Sequence, residues 1–172
     1  MNEEILQTVL YLVLAVAFAV PLGRYIARVM NGEKVFLSRL MEPAEGLLYQ
    51  SLKIDRNEQM TWKKYAAAVL VFNLFGLILV FLLNLLQGVL PPLNPQHFGS
   101  VPWHQAFNNA VSFVTNTNWQ SYSGENSMSY LTQMLAFTVQ NFLSAATGIA
   151  VLFVLIRGFV KVQETGLGSF WT

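Results

Sequence analysis

Three stretches of this chain carry no charged side chain and are long enough to cross a bilayer: Ile5 to Gly23, Tyr65 to Leu90 and Tyr130 to Ile156. The first, about 28 Å long as an α-helix, is the shortest. The other two exceed a ~30 Å hydrocarbon core with some tilt. Lipid cannot satisfy open backbone groups, so all three are expected to be helical. Composition agrees: 54% of the 172 residues are hydrophobic and 11% charged, where a soluble domain carries about a quarter charged. Cysteine is absent, which excludes a disulfide framework and a thiolate metal site.

The basic residues are segregated. Arg24, Arg28, Lys34, Arg39, Lys53, Arg56, Lys63 and Lys64 lie between the first and second spans; Arg157 and Lys161 follow the third. No Lys or Arg occurs between Pro91 and Ser129. The positive-inside rule then places residues 24 to 64 and the C-terminus in the cytoplasm, and the N-terminus and the 91–129 loop outside. Glu3 and Glu4 make the start of the first span acidic, with its positive charge after the apolar run. That order reads as an anchor with its N-terminus outside, not as a cleaved signal peptide.

The first helix is expected to continue past Pro21 toward Met30, with a possible kink at the proline. Glu42-Pro43 starts either a short interfacial helix with Leu47, Leu48 and Leu52 on its apolar side, or a solvated linker. Asp55 and Glu58 have the spacing of a capping box for the second span. Asn73 and Asn84 within that span require polar partners, which points to a multi-helix bundle. Pro91, Pro92 and Pro95 end it.

Ser100 and Pro102 then make a start for a new helix, with Trp103, Phe107, Ala110 and Val114 at helical spacing. About a dozen residues, or ~18 Å, reach roughly halfway across a membrane. The polar run Thr115 to Gln120 follows directly. If the helix dips inward, its C-terminal partial negative charge faces the membrane centre and attracts cations. Irregular backbone there survives only beside protein or water, and its carbonyls can replace the hydration shell of a monovalent cation. Asn116 and Asn118 could supply positive φ in place of glycine or add side-chain carbonyl ligands. The alternative is an ordinary Asn-rich turn. Gln133, Gln140, Ser144 and Thr147 form a polar stripe on the third span, which either lines a wet path or bonds neighbouring helices. His97 and His104 have no second ligand nearby and read as surface residues. The chain has no Gly-rich phosphate loop and no phosphorylatable Asp motif of the pump kind.

The chain resembles the potassium-binding A-subunit family of the Kdp potassium-transporting P-type ATPases. The resemblance rests on Met60-Thr61-Trp62-Lys63, Pro92-Leu93-Asn94-Pro95-Gln96, Ala106-Phe107-Asn108, the run from Ala110 to Glu125, the run from Met128 to Met134, and Ile156-Arg157-Gly158-Phe159. It implies an all-α membrane protein of the potassium-transporter superfamily, built from helix–pore-loop–helix repeats. Residues 1–30 would be an additional N-terminal helix, 31–64 a cytoplasmic or interfacial segment, 65–160 the first repeat, and 161–172 a cytoplasmic C-terminal stub. By similarity Asn116, Thr117, Asn118 and Gln120 belong to the first selectivity-filter segment, with Thr115 at its inner edge.

The function so implied is potassium binding and transport as the channel-like, non-catalytic subunit of an ATP-driven uptake complex in the bacterial plasma membrane. Potassium is the transported substrate and no cofactor is expected. The expected partners are membrane lipid, a separate ATP-hydrolysing P-type subunit and small accessory subunits, with no nucleic acid. The family has four repeats and this chain ends at Thr172, so truncation is expected, with the missing repeats on a continuation of the chain. The alternatives are a homotetrameric channel and a non-conducting membrane fragment that makes only packing contacts.

Overall fold

Helix boundaries in this chain are set by turn chemistry more than by apolar run length. The computed structural model describes residues 3–91, 93–160 and 166–172. Pro92 and Lys161, both expected above to mark boundaries, lie outside the described residues, as does the 161–165 part of the expected C-terminal stub. Two compact units are present, Met1–Asp55 and Arg56–Thr172.

In the first unit, α1 (Glu3–Met30) runs through Pro21 and carries acidic residues in its first turn and Arg28 in its last, matching the helix dipole. It ends where Glu33 N–H donates to the Arg28 carbonyl (2.9 Å) and Gly32 N–H to that of Val29 (3.0 Å). Gly32 sits at φ +73°, the left-handed position this C-cap requires. Helix α2 (Ser38–Leu52) settles the choice between helix and linker in favour of helix, and Pro43 lies inside it. It starts upstream of Glu42-Pro43 because the Ser38 hydroxyl accepts from Val35 N–H and Ser38 N–H donates to the Val35 carbonyl, each at 3.0 Å. Leu47, Leu48 and Leu52 are all exposed.

In the second unit, α3 (Trp62–Leu86) is capped by Thr61, whose hydroxyl accepts from Lys64 N–H. This corrects the capping box expected at Asp55 and Glu58. Met60 exchanges backbone hydrogen bonds with Leu167 and Gly168, so the chain cannot turn helical before Thr61. Glu58 instead pairs with the Lys64 ammonium. The helix also stops at Leu86, short of Leu90. Gln87 and Gly88 begin a turn there, and a methyl group on Gly88 would lie 2.6 Å from the Ser100 backbone nitrogen. Gly88→Ala is therefore expected to displace the 99–101 segment and destabilise the unit by about 1–3 kcal/mol, read as easier unfolding in an SDS titration of mixed micelles.

Pro102 precedes α4 (Trp103–Val114). At twelve residues it is too short to span, and it packs against α3 and α6. A single turn, α5 (Gly124–Ser127), follows the polar loop. The third apolar helix starts as a π-helix, Thr132–Thr138, and continues as α6 (Val139–Val160). Phe113 and Phe137 stack in the core at 4.3 Å and 9°. Val80, Ala106, Ala110 and Met128 join them.

Helices Glu3–Met30, Trp62–Leu86 and Thr132–Val160 are each long and apolar enough to cross a membrane. Their apolar side chains are mostly exposed, and the buried set contains nearly as many polar residues as apolar ones. Within the second unit, an apolar outside around a hydrogen-bonded inside is what a lipid solvent selects. The fold is an all-α membrane protein with three candidate spans.

Candidate functional site

The polar loop begins at the end of α4, and the way that helix stops determines its shape. Thr117 N–H donates to the Ser112 carbonyl (2.9 Å) and Asn116 N–H to that of Phe113 (3.3 Å). This is the same C-cap that closes α1, with Asn116 at φ +57° in the place held there by Gly32. Asn118 repeats the conformation at φ +54°, and its N–H also reaches the Ser112 carbonyl (3.2 Å). Both asparagines thus adopt the positive φ that their residue type suggested. Asparagine visits this region more readily than other residues with a Cβ, because its short amide bonds locally. Here Asn118 Nδ2 donates to Asn116 Oδ1 at 3.0 Å.

The consequence is a row of free carbonyls. Among the described residues, no hydrogen bond is donated to the backbone oxygens of Thr115, Asn116, Thr117 or Asn118, and all four residues are exposed. The Trp119 oxygen differs: it accepts from the Ser112 hydroxyl at 3.0 Å and so is turned toward α4. The Thr115 hydroxyl donates to the Val111 carbonyl (2.8 Å) and meets the Thr117 hydroxyl at 2.8 Å. Gln120 is exposed just beyond. The C-terminal end of α4 adds partial negative charge at Thr115.

The polar stripe of the third apolar helix is divided. Ser144, buried, donates to Asn116 Oδ1 at 3.4 Å and so touches the loop. Gln140 is buried against α3, where only a glycine leaves room: a methyl on Gly76 would lie 2.6 Å from Gln140 Oε1. Gln133 is elsewhere, its amide donating to the carbonyls of Met128 (2.9 Å) and Gly124 (3.4 Å). A seven-residue step aligns two residues in an α-helix, but the wider π turns between them shift the phase. Thr147 is half-buried and bonds back to the Leu143 carbonyl.

Sequence reasoning marked the apolar face of α4 and missed its polar one. Gln105, Asn109 and Ser112 recur at i, i+4 and i+7, a spacing that puts them on one face. Gln105 Nε2 donates to Asn109 Oδ1 (2.8 Å), and Asn109 Nδ2 donates to Asn84 Oδ1 on α3 (2.9 Å). Asn84 thereby finds the inter-helix partner its position demanded, while Asn73 is satisfied by its own helix at the Val69 carbonyl.

The first carboxylate after the loop is Glu125. The Ser123 hydroxyl donates to it at 2.6 Å and holds its pKa below the usual carboxylate range. Burial pushes the Tyr122 phenol up; its oxygen has no hydrogen-bond partner among the described residues.

A family model described as potassium-transporting ATPase A subunit, KdpA, matches residues 9–172. Proteins named potassium-transporting ATPase potassium-binding subunit are similar to this chain over nearly all of its length. One from Clostridium botulinum (strain Eklund 17B / Type B) is 57% identical over 171 residues, covering 99% of this chain and 29% of the relative. One from Clostridium perfringens is 58% identical with the same coverage. One from Caulobacter vibrioides is 54% identical over 162 residues, 94% of this chain and 28% of the relative. The chain thus spans about 29% of the length of the curated relatives it matches. With its family model matched from residue 9 to residue 172, the chain belongs to the potassium-transporting ATPase A subunit family.

Proposed function

We propose that Thr115 to Gln120 forms one wall of a potassium-selective filter, and that the chain contributes this wall to the channel-like, non-catalytic subunit of an ATP-driven potassium uptake complex. The observation that carries the reading is the run of four carbonyls on the exposed residues Thr115 to Asn118, none accepting a hydrogen bond among the described residues, at the C-terminal end of a short helix. Carbonyl oxygens offset the dehydration of a monovalent cation without a fixed charge, and no carboxylate lies between Pro91 and Gln120. Residues 65–160 act as a helix–pore-loop–helix repeat, with α4 re-entrant from outside. The charge segregation supports an outer N-terminus and an inner C-terminal side in a bacterial plasma membrane.

One loop cannot encircle an ion, and carbonyls must converge from about four. The remaining walls come from further repeats of a longer chain. Among the stripe residues, Ser144 is the best candidate to face the path, because it touches the filter loop. ATP hydrolysis falls to a separate P-type subunit, assisted by small accessory subunits and embedded with them in lipid.

The test uses a chimera in which this chain replaces the matching segment of the full-length Clostridium perfringens relative, assembled and reconstituted. Asn118→Ala strains a left-handed position, and Gln120→Ala removes the side chain at the outer edge. Each is expected to raise the potassium concentration needed for half-maximal uptake by about tenfold, the equivalent of 1.4 kcal/mol. Asn118→Gly keeps the backbone conformation and is expected to stay near the parent value. Unchanged potassium dependence in both alanine variants sinks the filter reading; loss in the glycine variant would transfer the role from backbone to side chain.

A further inference from the structure

We propose that Asn84, Asn109 and Gln105 are positioning residues that set ion selectivity from outside the filter, through a one-way chain of amides that starts from Ser121. The inference rests on the filter reading above and extends it to groups that touch no ion. Read from the loop inward, the Ser121 hydroxyl donates to Gln105 Oε1 at 3.1 Å. Gln105 Nε2 donates to Asn109 Oδ1 at 2.8 Å, and Asn109 Nδ2 to Asn84 Oδ1 at 2.9 Å. Asn84 Nδ2 ends the chain on the Val80 carbonyl at 2.8 Å. Every amide accepts with its oxygen and donates with its nitrogen, so all four bonds point the same way. Such an arrangement polarises each bond in the same sense and strengthens the set.

Burial makes the inner half of the chain rigid. Asn84 is 0% exposed and Asn109 1%, so neither amide can exchange its partner for bulk water. The Asn84 backbone is also held, its carbonyl accepting from Val101 N–H at 3.1 Å. The chain therefore references the outer limb of the loop to the body of α3. Ser112, on the same face of α4, ties the same limb two residues earlier, its hydroxyl donating to the Trp119 oxygen. The stretch carrying the free carbonyls is thus held at its start by the backbone cap of α4 and at its far end by the polar face of that helix. Carbonyl filters discriminate between cations by the size and stiffness of the cage, and a held loop yields less to a larger ion.

The experiment compares the KM of potassium and rubidium in the reconstituted chimera. Ser121→Ala removes the exposed outer donor and leaves the buried amides intact. It is expected to shift the rubidium-to-potassium KM ratio by about fivefold while kcat stays near the parent value. Ser121→Thr, which keeps the hydroxyl, is expected to restore the ratio. Asn109→Leu breaks the middle of the chain and is expected to shift the ratio in the same direction. Combining it with Ser121→Ala should add little, because both act through one path. If Asn109→Leu does not assemble, the Ser121 pair decides alone. An unchanged ratio in Ser121→Ala, with Asn118→Ala still shifting potassium dependence, overturns the positioning role and leaves the filter reading standing. If Asn118→Ala and Gln120→Ala are both silent as well, the filter reading fails and this inference falls with it.

Discussion

Gln87→Leu is expected to destabilise the second unit by about 4 kcal/mol, since each buried polar group left unpaired costs about 1–3 kcal/mol. Gln87 is 1% exposed at the end of α3, and every polar position of its amide is used. Its nitrogen donates to the carbonyls of Gly99 (2.7 Å) and Ser127 (2.9 Å). Its oxygen accepts from Ser129 N–H and the Thr132 hydroxyl, both at 3.1 Å. One side chain thus joins the segment before α4, the turn after the loop and the start of the π-helix. Leucine has nearly the same volume and none of these bonds. The Thr132 hydroxyl keeps Ser129 Oγ as a neighbour at 3.0 Å, but the Gly99 and Ser127 oxygens and the Ser129 N–H lose the Gln87 partner. SDS titration in mixed micelles checks the loss. A Gln87→Leu chain as resistant as the parent would mean that water already satisfies these groups.

Phe113→Ala is expected to cost about 3–5 kcal/mol, the range for deleting a buried phenylalanine. Phe113 is 2% exposed, and its ring lies flat against Phe137. Its carbonyl accepts the Asn116 N–H that closes the C-cap, so the cavity would open directly beneath the polar loop. Phe107 on the same helix is the control. It is 49% exposed and meets Phe81 only edge-on at 6.3 Å. Phe107→Ala should therefore cost well under half as much in the same assay. Equal losses would show that the Phe113 site collapses around the deletion, and that the stack with Phe137 is not what supports the loop.

Much of the architecture is legible in residue order. Long uncharged runs demand helices, because hydrocarbon offers the backbone no other partners. The brevity of the run from Trp103 to Val114 already separates α4 from the three spanning helices. Asn116 and Asn118 were candidates for positive φ by residue type, since few residues with a Cβ enter that region cheaply, and the structure chose that role. Boundaries were less legible. A capping box at Asp55 and Glu58 is sound local chemistry, yet Met60 is held by Leu167 and Gly168, more than a hundred residues away. Gln133 and Gln140 look aligned until a π-helix intervenes between them.

Sequence by itself therefore determined the membrane class, the three helices able to span and the short fourth helix. Each follows from local periodicity, charge or backbone preference. Only the tertiary structure decided which buried amide answers which: that Asn84 reaches Asn109, that Gln87 gathers three segments, and that Ser112 claims the Trp119 oxygen. Those pairings join residues from 7 to 45 positions apart through directional bonds a few ångströms long. Nothing in the order of residues specifies such bonds until packing brings the groups within reach.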